Sequence, residues 1–489
     1  MLIDPHQVRE PHSTFNIQHS TFLYIALALV LIPVFPHFPS PNEFSRWALA
    51  AAIVDGHTLE VTRLAPLLGA NEDLAEVDGR LYSNKAPGAA LVGLPGYAMA
   101  RIFAGPPSPA SMRPTLTAMR LVAATLPAVL LALLFGVVAR ERAGVAVTAL
   151  LFGTPLFAYG LLNFSHALAA FALFAAWYLL FIRQSHWFGA GALIGLAVLA
   201  EYPCAIAGAV LIAFAWRRAW RVIAGGLPFA LVLALYNRAA FGSVLALSSG
   251  HERYAPFREM AGQGWFGVGV PNPLTLLKLL FDPSKGLLVF SPILIIAIAA
   301  LPYARRALSA AQFWSLVAVP ASLLLFYSGY PNWHGGWTVG ARYLVPALPF
   351  LLLPLTFAKP SRVEALLLGA SVAACSVTTL VFPFVPPDFP LPWRTFAMPL
   401  IAQGLVAPNL LHFVARPLAI AVPFALVAAA AFMSTRHRIA LVVGIVAMLA
   451  IGFLARPTLR MRAERAFIQR AYLTPGEGLR RQPPPGWPF

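Results

Sequence analysis

The chain alternates between uncharged apolar runs and short polar segments along its whole length. A helix that crosses the hydrocarbon core of a bilayer needs about 20 mostly apolar residues, because each buried peptide group must be hydrogen-bonded within the helix. Runs close to this length predict about thirteen transmembrane helices, near residues 21–38, 116–138, 144–162, 166–182, 187–201, 204–216, 221–236, 287–303, 311–328, 343–358, 362–383, 416–433 and 438–455.

Two local features refine this pattern. The apolar run from Phe22 to Phe35 follows a weakly basic start, but no small-residue cleavage site comes after it. We therefore expect an uncleaved first helix rather than a signal peptide. The stretch 144–182 is too long for one span, and the polar break at residues 163–166 predicts a helical hairpin there.

Composition supports a membrane protein. The chain is 59% hydrophobic and 11% charged, whereas soluble domains are roughly 25% charged. The net charge of +17 comes mainly from arginines in short turns, and no nucleic-acid-binding motif accompanies them. Cytoplasmic loop bias and anionic lipid headgroups account for this charge. Cys204 and Cys375 lie in apolar runs, offer no disulfide or metal spacing, and are expected to be packing residues.

The basic turns set the predicted orientation. They fall at residues 139–142, 183–186, 216–221, 304–306, 359–362 and 436–438, all on the side of the N-terminus, which should therefore be cytoplasmic. The opposite side then holds three long loops and a shorter one, at residues 39–115, 237–286, 384–415 and 328–342. Residues 1–455 form one predicted transmembrane domain, and residues 456–489 form an Arg/Pro-rich tail. An odd helix count places this tail outside, unless the count is wrong by one.

The chemistry is expected in the external loops, because the predicted spans contain almost no ionisable residues. In the first loop, Glu43 and Arg46 share one face of a predicted interfacial helix. They form either a surface ion pair or a site in which Glu43 accepts a proton from an acceptor hydroxyl. Lys85 precedes an apolar helix and suits either a substrate phosphate or the lipid headgroups.

The segment 327–343 contains two tryptophans and several glycines, among them Gly335, Gly336 and Gly340. The glycines permit close backbone approach. Trp333 and Trp337 could stack on a sugar, although an aromatic belt at the membrane surface also explains them.

Other polar residues sit at the predicted outer helix ends. Arg342 presents forked donors that suit a phosphate, with His334 nearby. The group from His251 to Tyr254 could contact substrate or tie its loop together. Glu201 is a second carboxylate or a helix cap.

Several of these segments resemble the GT-C membrane glycosyltransferases, most closely bacterial family-39-type and aminoarabinose-transferase-like members. The resemblance is carried by an acidic residue after helix one, an amphipathic stretch, and Tyr-x-x-Lys-x-Pro before helix two. The matching residues are N-E-F-S-R-W-A-L-A-A-A-I-V-D-G (42–56), Y-S-N-K-A-P-G (82–88), E-Y-P (201–203), Y-N-R-A-A-F-G-S (236–243), K-G-L-L-V-F-S-P (285–292) and G-G-W-T-V-G-A-R-Y-L (335–344).

The resemblance implies an all-α GT-C-like fold with interfacial helices in the first external loop. It also implies transfer of a sugar from a polyprenyl-phosphate donor to a glycan, lipid or protein acceptor on the extracytoplasmic face of a bacterial inner membrane. Lys85 would bind the donor phosphate, and we expect Arg342 to assist. The family commonly has Asp-Glu where this chain has Asn42-Glu43, so the role of base would pass to Glu43 or Asp78.

The remaining expected substrate contacts come from the external loops. They are Arg46, Tyr82, Glu201, His251, Tyr254, His334, Trp333 and Trp337. No cofactor is predicted, and the lack of a metal-binding motif leaves a divalent ion unsupported rather than excluded. Membrane lipids are expected partners, nucleic acid is not, and no feature indicates an oligomeric state.

Two alternatives stay open. A lipid or polysaccharide transporter or flippase would need a polar path through the membrane, and the lack of charge within the helices counts against it. A non-catalytic GT-C-like protein would keep the fold and lack the base, as Asn42 allows. The transferase mechanism requires Glu43, Lys85 and Arg342 to meet in one external cavity, within about 15 Å of one another.

Overall fold

The computed structural model describes residues 11–36, 40–68, 73–264, 267–451 and 457–473. The first half of this part contains helices α1 Pro11–Leu31, α2 Pro41–Gly56, α3 Gly88–Ala104, α4 Pro109–Arg120, α5 Leu126–Ala139, α6 Ala143–Phe152, α7 Leu156–Tyr159, α8 His166–Trp177, α9 Trp187–Ala200, α10 Cys204–Phe214 and α11 Ala219–Phe241. The second half contains α12 Ala255–Ala261, α13 Pro273–Phe281, α14 Leu287–Phe290, α15 Leu294–Ala299, α16 Leu301–Ala307, α17 Ala310–Ser328, α18 Leu348–Leu352, α19 Arg362–Val381, α20 Met398–Ile401, α21 Arg416–Ser434, α22 Arg438–Ala450 and α23 Leu459–Ile468.

The all-α fold class is confirmed, and each of the thirteen predicted runs contains helix. Among the described residues, six helices are long and apolar enough to cross a membrane, and six shorter apolar helices accompany them. The predicted run 287–303 is divided into α14, α15 and α16, with Pro292 and Pro302 at the breaks. Proline causes such breaks because it lacks the amide hydrogen that an interior helical residue donates.

Glycines allow the closest helix pairs to form. A Cβ on Gly191 of α9 would lie 1.8 Å from the carbonyl oxygen of Val222 in α11. A Cβ on Gly444 of α22 would lie 1.9 Å from the carbonyl oxygen of Leu366 in α19. Between membrane helices, where lipid tails are as apolar as leucine, such close approach supplies the packing contacts that hold the bundle together.

The first loop folds compactly against the bundle. Residues 42–52 of α2 are all buried, so this helix is not the surface helix that its Glu43/Arg46 spacing suggested. After it, strands β1 Leu74–Val77 and β2 Arg80–Ser83 form an antiparallel hairpin, which is the only sheet in the described part of the chain. The hairpin holds the segment 83–87 in place just before α3.

The predicted external loops meet at one end of the bundle. Ala75 in the first loop forms a β-bridge with Glu252 in the second. The amide of Thr338 donates to the carbonyl of Val385 at 3.0 Å, which joins the segment 328–342 to the loop 384–415. All four loops are therefore on one side, as the basic turns predicted.

The tail segment 457–473 lies on this same side. Arg460 of α23 forms a 3.1 Å ion pair with Asp388, and the guanidinium of Arg465 donates to the carbonyl of Thr395 at 2.9 Å. Of the two placements that the sequence left open, the structure thus supports the one beside the external loops.

Candidate functional site

A cavity of ≈ 480 Å³ lies where these loops meet, within the roughly 300–1,000 Å³ typical of small-molecule sites. Its polar lining includes Asn42, Arg46, Asp73, Asn84, Lys85, His166, Glu201, Glu252, Asn332, Arg342 and Tyr343. Its apolar lining includes Leu247, Phe257, Met260, Val268 and Phe326. The predicted phosphate ligands Lys85 and Arg342 thus line one cavity.

Lys85 belongs to a polar cluster at the end of the hairpin. Its Nζ donates to Asp73 Oδ1 at 2.7 Å, and Asn84 Nδ2 donates to Glu252 Oε2 at 2.8 Å. Burial alone would raise the pKa of the Asp73 carboxyl, but the Lys85 ammonium beside it holds that pKa below its usual value. Lys85 and Asp73 therefore form a charged pair at the cavity wall.

Glu252 differs from Asp73 because it forms no ion pair with a cation among the described residues. Its side chain is buried, and burial raises the pKa of this carboxyl to about 7. At neutral pH it is thus present in both protonated and ionised forms, which allows it to donate or accept a hydrogen bond.

Arg342 is a cation with no counter-ion in the described part of the chain. Its Nη2 donates to Tyr343 Oη at 2.9 Å, and its Cζ lies 4.6 Å from the centroid of the Tyr343 ring. Its Nε is buried without a hydrogen-bond partner, and no described carboxylate lies within ion-pair distance of the guanidinium. Gly335, with φ +71°, leaves room for this side chain, because a Cβ there would lie 2.7 Å from Arg342 Nε.

A second polar cluster surrounds Glu201. Ser165 Oγ donates to Glu201 Oε1 at 2.5 Å, and Arg46 Nη2 donates to Ser165 Oγ at 2.7 Å. Arg46 Nη2 also lies 3.8 Å from Glu201 Oε1, and its Nη1 donates to the side chain of Asn42. His166 Nδ1 lies 3.0 Å from the same carboxylate oxygen. Glu201 is therefore part of a hydrogen-bonded group rather than a simple helix cap.

Glu43 does not line the cavity. It is fully buried, and its carboxylate accepts hydrogen bonds from Arg120 Nε at 2.9 Å and Nη2 at 2.6 Å. The amide of Asn163 donates to it at 2.6 Å. Glu43 therefore has a buried ion pair with Arg120 instead of the expected pair with Arg46. This geometry does not support its predicted role as base.

Asp78 does not line the cavity either. It is exposed and occupies the two-residue turn of the hairpin with Gly79. Both residues have positive φ, 49° and 78°, as a type I′ turn requires. Asp78 thus shapes the hairpin, and the structure does not support it as an alternative base.

Three other predicted contacts lie outside the lining. The ring centroid of Tyr82 is 6.0 Å from that of Phe241, and the ring of His251 stacks on Phe241 with its centroid at 5.2 Å. Tyr254 packs against Phe257 at 5.0 Å. The Tyr82 contact joins the first loop to the start of the loop 237–286, and the other two contacts pack this second loop against itself.

In the segment 327–343, only one of the two tryptophans reaches the cavity. Trp337 lines it, whereas Trp333 lies against Lys278. His334 accepts a hydrogen bond from the amide of Gly336 at 3.0 Å, and burial lowers the pKa of its imidazole to about 4. His334 therefore supports the glycine turn in its neutral form.

Sequence reasoning did not single out Asp73 or His166, and it read Glu252 only as part of a loop cluster. For Asp73, the sequence contains a pattern from which its position could have been predicted. An Asp-Gly pair between alternating residues predicts a two-residue hairpin, and the register pairs Leu74 with Ser83. Residue 73 then falls beside residues 84 and 85.

Comparison with known proteins gives only distant structural likenesses. No protein-family profile matches the chain, and no curated protein matches it. The chain is similar to ArnT from Cupriavidus metallidurans, solved bound to undecaprenyl phosphate, with 15% identity, 90% of this chain and 78% of that chain covered, and a TM-score of 0.49.

It is also similar to the oligosaccharyltransferase AglB from Archaeoglobus fulgidus, solved with an inhibitory peptide and a dolichol-phosphate. This match has 13% identity, covers 98% of this chain and has a TM-score of 0.46. The chain spans 61% of the length of AglB.

Proposed function

We propose that this chain is a membrane glycosyltransferase that moves a sugar from a polyprenyl-phosphate-linked donor to an acceptor. The observation that carries the proposal is Arg342, a cation with no counter-ion among the described residues, in one cavity with Lys85 and three carboxylates. The site would face the extracytoplasmic side of a bacterial inner membrane, with the N-terminus in the cytoplasm.

The charges of the cavity match a sugar phosphate. Lys85 is paired with Asp73, and Arg46 lies beside Glu201. Arg342 has no described carboxylate within ion-pair distance, and Glu252 has no described cation within that distance. The cavity therefore provides a site for an anion and a buried carboxyl for a hydroxyl or phosphate oxygen. A donor that carries both a phosphate and sugar hydroxyls complements the two groups together.

The cationic groups would stabilise the leaving phosphate. When the bond between the sugar and the phosphate breaks, negative charge develops on the phosphate oxygens. Preorganised cations in a site shielded from water stabilise such charge strongly. Arg342 would hold the phosphate through its forked donors, and Lys85 would share its ammonium between Asp73 and the phosphate. Glu252, protonated beside this added negative charge, would donate a hydrogen bond to it.

The experiment is a transfer assay with purified protein and a panel of polyprenyl-phosphate hexoses and pentoses, with release of polyprenyl phosphate as the readout. We expect wild-type release, and a loss of about 10- to 100-fold in donor affinity for Lys85→Ala and for Arg342→Ala, because each variant removes a charge-assisted hydrogen bond. Lys359→Ala and Arg306→Ala remove exposed cations that do not line the cavity and serve as controls.

Three results would contradict the proposal. A Lys85→Ala protein with wild-type donor affinity would remove the phosphate assignment. Movement of the lipid across vesicles without bond cleavage would indicate a flippase. Binding of polyprenyl phosphate with no release from any donor, in a correctly folded protein, would indicate a non-catalytic relative.

A further inference from the structure

One group in the cavity has no role in the scheme above. His166 begins α8, directly after the polar break at residues 163–165, and lines the cavity with a side chain that is only 4% exposed. Both of its ring nitrogens are buried, and neither has a hydrogen-bond partner of ordinary geometry among the described residues. A buried polar atom in this condition costs about 1–3 kcal/mol, so the position requires an explanation.

The ring is held by its neighbours. The centroids of Tyr159 and Tyr343 lie 5.1 and 6.3 Å from it, each nearly perpendicular, and Phe164 lies at 5.9 Å. These contacts fix the plane of the imidazole in the wall of the cavity.

The other ring nitrogen faces an ordered carboxylate. Glu201 Oε1 is 3.0 Å from His166 Nδ1, off the line of the N–H bond. Catalytic hydrogen bonds are often poorly aligned in an empty site and tighten when substrate binds. Ser165 and Arg46 hold Glu201 in place. With Glu201 as the acceptor, Nδ1 carries the proton and Nε2 has a free lone pair.

We propose that His166 is the catalytic base that deprotonates the acceptor hydroxyl, and that Glu201 is its positioning residue. This inference rests on the proposed transferase function. The acceptor oxygen bonds to C1 of the sugar, and its proton moves to His166 Nε2. The bond between C1 and the phosphate oxygen breaks, and its electron pair stays on the polyprenyl phosphate. The His166–Glu201 pair thereby supplies the function that neither Glu43 nor Asp78 is placed to perform.

The alternative base within the cavity is Glu252. It shares its cluster with Lys85 through Asn84, so the donor phosphate would lie beside it. Negative charge there favours the protonated carboxyl, which donates a hydrogen bond and accepts no proton. His166 belongs to the cluster around Glu201, where Arg46 supplies positive charge.

The test compares His166→Gln with His437→Gln, a matched change at a histidine outside the cavity lining. Because general base catalysis contributes about 10²–10⁴-fold, we expect His166→Gln to lower kcat for transfer by at least 100-fold. We expect its KM for the donor, and its affinity for polyprenyl phosphate, to stay within about twofold of wild type, since no phosphate ligand is changed. His437→Gln should retain wild-type kcat.

A chemical rescue separates catalysis from packing. In His166→Ala, added imidazole should restore part of the rate by filling the space of the lost ring. The His166→Ala/Glu201→Gln double variant should show little rescue, because the carboxylate that orients the imidazole is gone. If the ring is needed only for packing, any recovery of kcat by imidazole at saturating donor should be the same with and without the Glu201 carboxylate.

The outcomes distinguish this inference from the proposed function. If wild type transfers sugar and His166→Gln keeps its kcat, or Glu252→Gln alone abolishes kcat, His166 is not the base and the transferase stands. If His166→Gln loses donor affinity in proportion to kcat, the residue binds substrate instead. If wild type transfers from no donor, the proposed function itself fails.

Discussion

At the scale of single residues, the burial of Glu43 with Arg120 leads to a prediction about stability. Both side chains are 0% exposed. Removing one partner of a buried ion pair costs about 3–5 kcal/mol, whereas replacing the pair by uncharged groups of similar volume is far less costly. We expect Glu43→Ala to lower the melting temperature in detergent strongly, and Glu43→Gln/Arg120→Met to recover most of the loss.

The control for this pair is Glu141→Ala, an exposed carboxylate outside the cavity lining, which should melt like wild type. A Glu43→Ala protein with wild-type melting temperature but no transfer would contradict the structural role and restore Glu43 as a catalytic candidate.

Glu252 makes stability depend on pH. Its pKa is raised from 4.5 to about 7 by burial, so the folded protein binds this proton more tightly than the unfolded chain does. The stabilisation is complete below pH 4.5 and is lost as pH rises to 7 and beyond. The shift corresponds to about 3 kcal/mol.

The measurement is the free energy of unfolding of wild type and of Glu252→Gln from pH 4.5 to 8. Gln mimics the protonated carboxyl, so the variant should lack this pH-dependent loss and become the more stable protein above pH 7. Parallel curves for the two proteins would show that Glu252 ionises normally.

The sequence was sufficient to predict those cavity residues that stand out from their immediate neighbours in the chain. Lys85 and Arg342 stand beside Pro or Gly turns in segments otherwise apolar, and both reach the cavity. Glu43 stands in an equally suggestive motif, but its partner Arg120 is 77 residues away. The burial of a carboxylate against a distant arginine is a property of helix packing, which no local pattern reports.

At the scale of elements, the hairpin was predictable from the sequence, although the helices were easier to predict. Uncharged apolar runs of sufficient length predicted the helices, because a span within the bilayer must hydrogen-bond its own backbone. The strands are only four residues each, and their signal is the turn at Asp78-Gly79 rather than any periodicity. Reading Asp78 as a base overlooked this turn chemistry, and with it the position of Asp73 beside Lys85.

The glycine segment before Arg342 provides a matched pair of variants. Gly335 and Gly336 have φ +71° and +74°, so alanine strains the backbone similarly at both, by about 1–2 kcal/mol. Only at Gly335 does the added Cβ meet Arg342, at 2.7 Å from Nε, while nothing lies within 4 Å of a Cβ at Gly336. We expect Gly335→Ala to weaken donor binding at least tenfold more than Gly336→Ala.

Binding of polyprenyl phosphate to each variant, measured alongside its melting temperature, checks this prediction. If the two variants have similar melting temperatures but different affinities, the loss of binding is due to the displaced Arg342 side chain. Equal affinities for the two variants would mean that Arg342 does not contact the phosphate.

At the scale of the whole molecule, the placement of the tail predicts its accessibility. The native cysteines are buried, so single exposed cysteines can be labelled with little background. In intact cells, a membrane-impermeant maleimide should label Arg462→Cys in the tail and Glu259→Cys in the second external loop. It should label Arg438→Cys, in a predicted cytoplasmic turn, only after permeabilisation. Labelling of Arg462→Cys together with Arg438→Cys would place the tail on the cytoplasmic side.

The contacts of the loop 384–415 also determine when the cavity can be completed during biosynthesis. Val385 accepts hydrogen bonds from Lys285 and Thr338, which lie in the segments leading to Arg342. On its other side, this loop is held by Arg460 and Arg465 of the tail. A nascent chain has inserted most of its helices before these residues leave the ribosome. The segment that carries Arg342 therefore gains its full support only after residues 457–473 have been synthesised, so the site is completed well after Arg342 itself has been synthesised.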